Sequence, residues 1–77
     1  MVAAYQSLGA ALASAGQMPE AIETFRNGLT IDPLSAILYY DLGLALKQQA
    51  DEAGAKQTLA LAAKLNPDIA ARIAKGQ

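Results

Sequence analysis

Apolar side chains recur along this chain at the spacing of amphipathic helices, and residues 37–46 show that spacing on two faces. One stripe, with members at i, i+3, i+4 and i+7, consists of Tyr39, Leu42, Gly43 and Leu46. A second stripe, about 100° around the helix, consists of Ile37, Tyr40 and Leu44. A helix with two apolar stripes needs a neighbour on each of them, so we predict that this is the central helix of the molecule.

Turn and capping residues divide the chain into five predicted helices. Gly16 ends a first helix that begins at Val2, because Gly readily adopts the left-handed conformation just past a helix end. Pro19 opens the second helix, since Pro at the first helical position loses no hydrogen bond. Asp32 and Pro33 are predicted as the N-cap and first residue of the central helix. The starts of the last two helices are marked by Asp51 and by Asn66-Pro67-Asp68.

The four flanking helices each carry one predicted inner face. In the first helix this face consists of Tyr5, Leu8, Gly9 and Leu12. In the second helix it consists of Ala21, Ile22, Phe25, Gly28 and Leu29. In the fourth helix it consists of Ala55, Leu59, Ala62, Ala63 and Leu65. Ile69 and Ile73 lie one turn apart in the short fifth helix, and we expect them to cover the open end of the fourth.

The pattern repeats itself after 34 residues. Identical residues at this separation include Tyr5 and Tyr39, Leu8 and Leu42, Gly9 and Gly43, Leu12 and Leu46, Ala21 and Ala55, Thr24 and Thr58, and Pro33 and Pro67. Most of these pairs lie at predicted core or capping positions, as duplication of a structural unit requires. A unit of two helices and 34 residues is the period of the tetratricopeptide repeat.

The motif residues of both units resemble this family over nearly the whole chain. The first unit contains Tyr5, Leu8-Gly9, Leu12, Glu20-Ala21, Phe25 and Pro33, and the second contains Tyr39, Leu42-Gly43, Leu46, Ala55, Leu59 and Pro67. The departures are Gly28, where the family has Ala, together with Ala50-Asp51 and Gly54 in the turn and helix start of the second unit. The resemblance implies an all-α fold, a right-handed superhelix of α–α hairpins.

The resemblance also implies a single domain over residues 1–77, made of two repeats and a C-terminal capping helix. Repeat one is expected at about 2–33, repeat two at about 36–67, and the capping helix at about 67–75. The first helix begins without an N-cap residue. We therefore expect the chain to be the C-terminal end of a longer repeat array.

Composition excludes several classes of function. Six basic and seven acidic residues give a net charge of −1, which argues against a dedicated nucleic-acid binder, since such a protein should carry a basic face. The chain has no Cys and no His, the residues most often used for metal binding and for nucleophilic or general-base catalysis. Glu20 and Glu23, one turn apart, are interpreted as solvated residues that complement the helix dipole. We expect no enzyme activity, metal, cofactor, nucleic-acid partner or membrane partner, and a cytoplasmic location.

In this family the first helix of each unit lines a concave groove that receives peptides. The resemblance places in that groove Gln6, Ala10, Ile37, Tyr40, Asp41, Leu44 and Lys47, with Ala3, Ala13, Ser14 and Gln48 extending it. We expect a bias towards bound segments with a basic residue, because Asp41 lies beside the apolar anchors. A clamp for a terminal carboxylate is disfavoured, since only Lys75 is basic among the positions that would form it.

Three interpretations of this surface remain open. The chain is a non-catalytic module that binds a protein or peptide in the groove, or a structural module that associates with itself or with other repeats. Self-association gains weight because two repeats are fewer than the three or so that a stable solenoid usually needs. In the third interpretation, the stripe of Ile37, Tyr40 and Leu44 packs against neighbouring helices and binds nothing.

Overall fold

Five α-helices make up residues 2–76, which are the residues that the computed structural model describes. They are α1 (Val2–Ser14), α2 (Met18–Ile31), α3 (Ala36–Gln48), α4 (Glu52–Leu65) and α5 (Pro67–Gly76). No strand occurs in this part of the chain. The prediction of an all-α fold is therefore confirmed. Met1 and Gln77, which the predicted domain range includes, lie outside the described residues.

Consecutive helices pack against each other as two hairpins, α1–α2 and α3–α4, followed by α5. The helix α3 contacts all four of the others, and α1 contacts only α2 and α3. The central position predicted for the two-striped helix is correct. Neighbouring helices on several sides shield apolar side chains of α3 from water.

The core is a cluster of buried residues from α2, α3 and α4 around Leu38, which is completely buried. The cluster consists of Ala21, Phe25, Leu38, Leu42, Ala45, Leu46 and Ala55. Neither predicted stripe of α3 includes Leu38 or Ala45. These two residues share a face with Leu42 at i, i+4 and i+7, and it is this face that packs on α2, where Leu38 lies against Gly28.

Two glycines allow the helices to approach closely. A Cβ atom on Gly43 would lie 2.7 Å from Cδ2 of Leu59 and 3.3 Å from its backbone nitrogen. A Cβ atom on Gly28 would lie 2.8 Å from Cδ1 of Leu38 and 2.9 Å from Cβ of Tyr5. Gly28 departs from the family pattern because the space of an Ala methyl group is already filled by these two side chains.

The start of α3 differs from the prediction. Its N-cap is Ser35, whose hydroxyl oxygen accepts a hydrogen bond of 3.4 Å from the backbone nitrogen of Leu38. Asp32 instead closes a turn, in which its Oδ1 accepts from the nitrogen of Leu34 at 3.2 Å. The assignment of Asp32 as N-cap and Pro33 as first helical residue is wrong, because Ser35 competes successfully for the capping role.

A tertiary hydrogen bond holds that turn in place. The Tyr39 hydroxyl donates to the carbonyl oxygen of Pro33 at 2.9 Å. Ile73 of α5 occupies the position that corresponds to Tyr39, so this bond cannot form after Pro67. There the predicted start is correct: α5 begins at Pro67, and Oδ1 of Asn66 accepts from the nitrogen of Asp68 at 2.9 Å.

Two predicted inner residues lie on the surface. Leu8 is 54% exposed, whereas its counterpart Leu42 is only 6% exposed, because α2 covers that side of α3 and no described helix covers the same side of α1. Leu65 is exposed because it is the last residue of α4. Its counterpart Ile31, the last residue of α2, is exposed for the same reason.

Candidate functional site

A cleft of about 290 Å³ lies between α1 and α3 and is here named the α1–α3 cleft. Its sides are formed by Ala10, Ala13 and Ser14 of α1 and by Asp41, Leu44 and Gln48 of α3. Its floor is formed by Met18, Phe25 and Ala45. The cleft exists because α1 presents only small side chains along this edge, so the two helices leave a gap above the core.

The lining combines an apolar floor with a few polar groups at its edge. Phe25 and Ala45 are buried, whereas Leu44 is 40% exposed and available for contact. Ser14 and Gln48 are exposed near the carboxyl ends of their helices. Recognition sites for small ligands and anchoring side chains have this composition, apolar surface with a small number of placed polar groups.

Asp41 is the charged residue of this lining, and it is half-buried. Burial raises the pKa of its carboxyl group above the ordinary value of 3.8, and it outweighs the guanidinium of Arg72 on α5, which acts in the opposite direction. α1 brings no charged side chain to the cleft. The ionised carboxylate of Asp41 is therefore less stable here than in water, and a cation brought close to it would be favoured.

The structure brings together three of the seven groove residues predicted from the sequence. Ala10, Asp41 and Leu44 line the α1–α3 cleft. Ile37 lines a separate cleft of about 450 Å³ between α3 and α5. Lys47 lines a third cleft, of about 600 Å³, with residues of α4 and α5. The other two, Gln6 and Tyr40, are half-buried and line none of these three clefts.

The sequence reasoning missed the floor of the cleft. Ala45 could have been found, because it lies four residues from Asp41 and so one turn along the same edge of α3. Met18 and Phe25 come from α2, which the resemblance does not assign to the groove. Only the packing of α2 beneath the other two helices brings them there.

The third cleft, between α4 and α5, is the largest of the three, and we assign no ligand to it. Its lining includes the charged residues Lys47, Glu52 and Lys56. The positions of Glu52 and Lys56 are occupied in the first unit by Met18 and Ile22, which pack against the core. This replacement of apolar by charged residues of both signs is typical of a solvated helix surface.

Residues 2–76 hold no group of three or more acidic, His or Cys side chains that could bind a metal ion. None of the helices described there has the length and apolar character needed to cross a membrane. The cytoplasmic location stays a prediction.

Two protein-family models match the chain. One, described as a TPR repeat, matches residues 9–49. The other, described as a tetratricopeptide repeat, matches residues 36–69. Each match includes α3. The first match also includes the α1 residues that line the α1–α3 cleft. No curated protein shows a significant match in a sequence search.

Proposed function

Because the chain belongs to the tetratricopeptide repeat family, we propose that it is a non-catalytic module that binds a protein or peptide segment in the α1–α3 cleft. Repeats of this family generally mediate protein–protein interactions. The proposal includes the domain organisation predicted above: repeat one at about 2–33, repeat two at about 36–67 and a capping helix at about 67–75.

The observation that carries the proposal is an apolar cleft on the surface formed by the first helices of both units. A cleft of about 290 Å³ is large enough for one or two side chains of a partner, though not for a whole helix. Side chains that fill such pockets contribute most of the affinity of a protein interface. The expected partner is therefore a short segment that anchors one or two side chains beside Leu44.

We expect that replacing both Tyr40 and Leu44 by Ala weakens binding at least about tenfold while the fold remains. Leu44 is 40% exposed and Tyr40 is half-buried, so both contribute less to folding than core residues do. Peptides are first enriched on the wild-type chain from a random displayed library. Their affinity for both proteins is then measured by titration calorimetry, with thermal unfolding in parallel.

A matched control for this double variant is Leu61→Ala. Leu61 is 47% exposed on α4 and lines none of the three clefts, so its replacement removes as large an apolar side chain as the Leu44 half of the double change, away from the proposed site. Equal affinity of the double variant and the control would overturn the proposed site. If the double variant unfolds outright, then Tyr40 and Leu44 belong to the core and the groove assignment is wrong.

A second candidate function, association with another repeat or with a second copy, rests on the exposed face of α1. Ala4, Leu8 and Ala11 are exposed there. The corresponding residues of α3 are Leu38, Leu42 and Ala45, and all three are buried against α2 and its neighbours. The exposed face of α1 thus has the same spacing as the face of α3 that packs against α2.

For this second function, Leu8→Glu should abolish self-association, because a carboxylate at the centre of an apolar contact leaves an unpaired charge on binding. The measurement is sedimentation equilibrium over a range of concentrations, with Leu61→Glu as the control. Melting temperature should change little, since Leu8 is 54% exposed. If the wild-type chain is monomeric at all concentrations tested, self-association is excluded.

A further inference from the structure

The α1–α3 cleft has one charged group in an otherwise neutral lining. Asp41 provides it, and the polar members at the edge, Ser14 and Gln48, are uncharged. Since Val2–Ser14 contains no basic residue, no cation on the facing helix balances the carboxylate. The cleft therefore combines an apolar floor with a single negative charge at its side.

We propose that the α1–α3 cleft binds a basic side chain, Lys or Arg, of the partner segment, with the cationic group at Asp41 and the aliphatic carbons against Leu44 and Ala10. This inference rests on the proposed function and specifies the partner's chemistry at that site. Long basic side chains suit a cleft of this kind because their methylene groups cover apolar surface while the charged end stays near a polar group.

Partial burial makes Asp41 a stronger attractor for a cation than an exposed carboxylate. Opposite charges interact more strongly where water is partly excluded, and burial already raises the pKa of this carboxyl group. The cation that acts on Asp41, Arg72, lies on α5 and lines the cleft on the other side of α3. A cation in the α1–α3 cleft would therefore approach Asp41 from the side of α3 that faces away from the cleft of Arg72.

The other charged residues of the packed helices do not line this cleft. Glu20, Glu23 and Arg26 of α2 are exposed, as are Glu52, Lys56 and Lys64 of α4 and Asp68, Arg72 and Lys75 of α5. An anionic ligand, such as a terminal carboxylate, would be repelled by Asp41 at neutral pH. A neutral apolar side chain would leave the carboxylate further desolvated and without a partner, which is unfavourable.

The test uses two blocked tripeptides that differ only in their central side chain, Leu-Arg-Leu and Leu-norleucine-Leu. Each is titrated into the full chain while backbone amide resonances are followed by NMR. We expect the Arg peptide to shift the amides of Ala10, Asp41 and Leu44 and to bind about tenfold more tightly than the norleucine peptide. Raising the salt concentration should reduce that difference.

Asp41→Asn supplies the matched variant, because Asn keeps the shape and removes the charge. It should abolish the preference for Arg. Burial raises the pKa of Asp41, so ionisation of this group disfavours the folded state as pH rises above 3.8. The Asn variant should therefore keep or raise the melting temperature, which separates loss of binding from loss of folding.

The pH dependence has a defined sign. Only the ionised carboxylate attracts the cation, so the affinity for the Arg peptide should fall as pH is lowered from 7 through the raised pKa of Asp41. No such fall is expected for Asp41→Asn. Equal affinity of wild type for both peptides would overturn the inference and leave the cleft as an apolar binding site. The absence of shifts with either peptide would overturn both the inference and the proposed function.

Discussion

Replacing Gly43 by Leu should destabilise the chain by about 3 kcal/mol or more, a large part of the stability of a domain this small. The first added carbon would already lie 2.7 Å from Cγ of Leu59 and 3.3 Å from its backbone nitrogen, so α3 and α4 must move apart. Leu gains roughly 1 kcal/mol in helix propensity over Gly, which is too little to offset this overpacking. Urea unfolding followed by circular dichroism measures the difference.

The control for Gly43→Leu is Lys47→Ala, one turn further along α3. Lys47 is exposed, and its replacement should change the free energy of unfolding by no more than about 0.5 kcal/mol. Melting temperatures that agree between the two variants would show that the packed face of α3 has been assigned incorrectly.

Deleting Asp68 to Gln77 should lower the free energy of unfolding by roughly 3–5 kcal/mol at the upper end and should promote aggregation. This segment contains Ile69, which is 4% exposed, and Ile73, which is half-buried. Both contribute to covering α4, and Ile73 lies beside Leu59 in the third cleft. Without α5 the apolar face of α4 would meet water or another chain.

Point variants separate the two isoleucines. Ile69→Ala should cost about 2–5 kcal/mol, and Ile73→Ala should cost less, because more of its side chain already meets water. Chemical unfolding gives the free energies, and sedimentation detects association of the truncated chain. A truncated chain that remains monomeric and as stable as the wild type would show that α5 does not protect the end of the fold.

Local signals were sufficient to predict the number of helices and the position of α3. Asp51 caps α4 as predicted, with its Oδ1 accepting from the nitrogen of Gly54 at 3.0 Å. Gly16 adopts a φ of 81° after α1, as a helix-ending Gly does. Capping, chain reversal and apolar spacing depend on neighbours in sequence, so the residues themselves carry this information.

Burial of particular side chains could not be predicted in the same way, because it depends on which helix covers which face. Leu8 and Leu42 occupy the same position in the repeat, yet α2 covers that side of α3, whereas no described helix covers the same side of α1. The shifted start of α3 has a similar origin. It depends on the choice between two capping residues and on the contact between Tyr39 and the carbonyl group of Pro33.

Only part of the candidate site was predicted from the sequence, and the reason is geometric. Ile37 and Leu44 belong to one stripe of α3, but seven residues separate them by roughly 10 Å along the helix axis. Over that distance α3 passes from the edge of α5 to the edge of α1, so its stripe enters two different clefts. Sequence periodicity predicts which residues share the stripe. Only the tertiary arrangement determines which cleft each of these residues lines.

Mapping the binding site of a library-selected peptide by NMR tests the proposed binding function most directly. We expect the largest shifts at Ala10, Asp41 and Leu44, where α1 and α3 form the cleft, and no loss of signal dispersion. Shifts confined to Leu59, Ala63 and Ile73, in the cleft between α4 and α5, would contradict binding between α1 and α3.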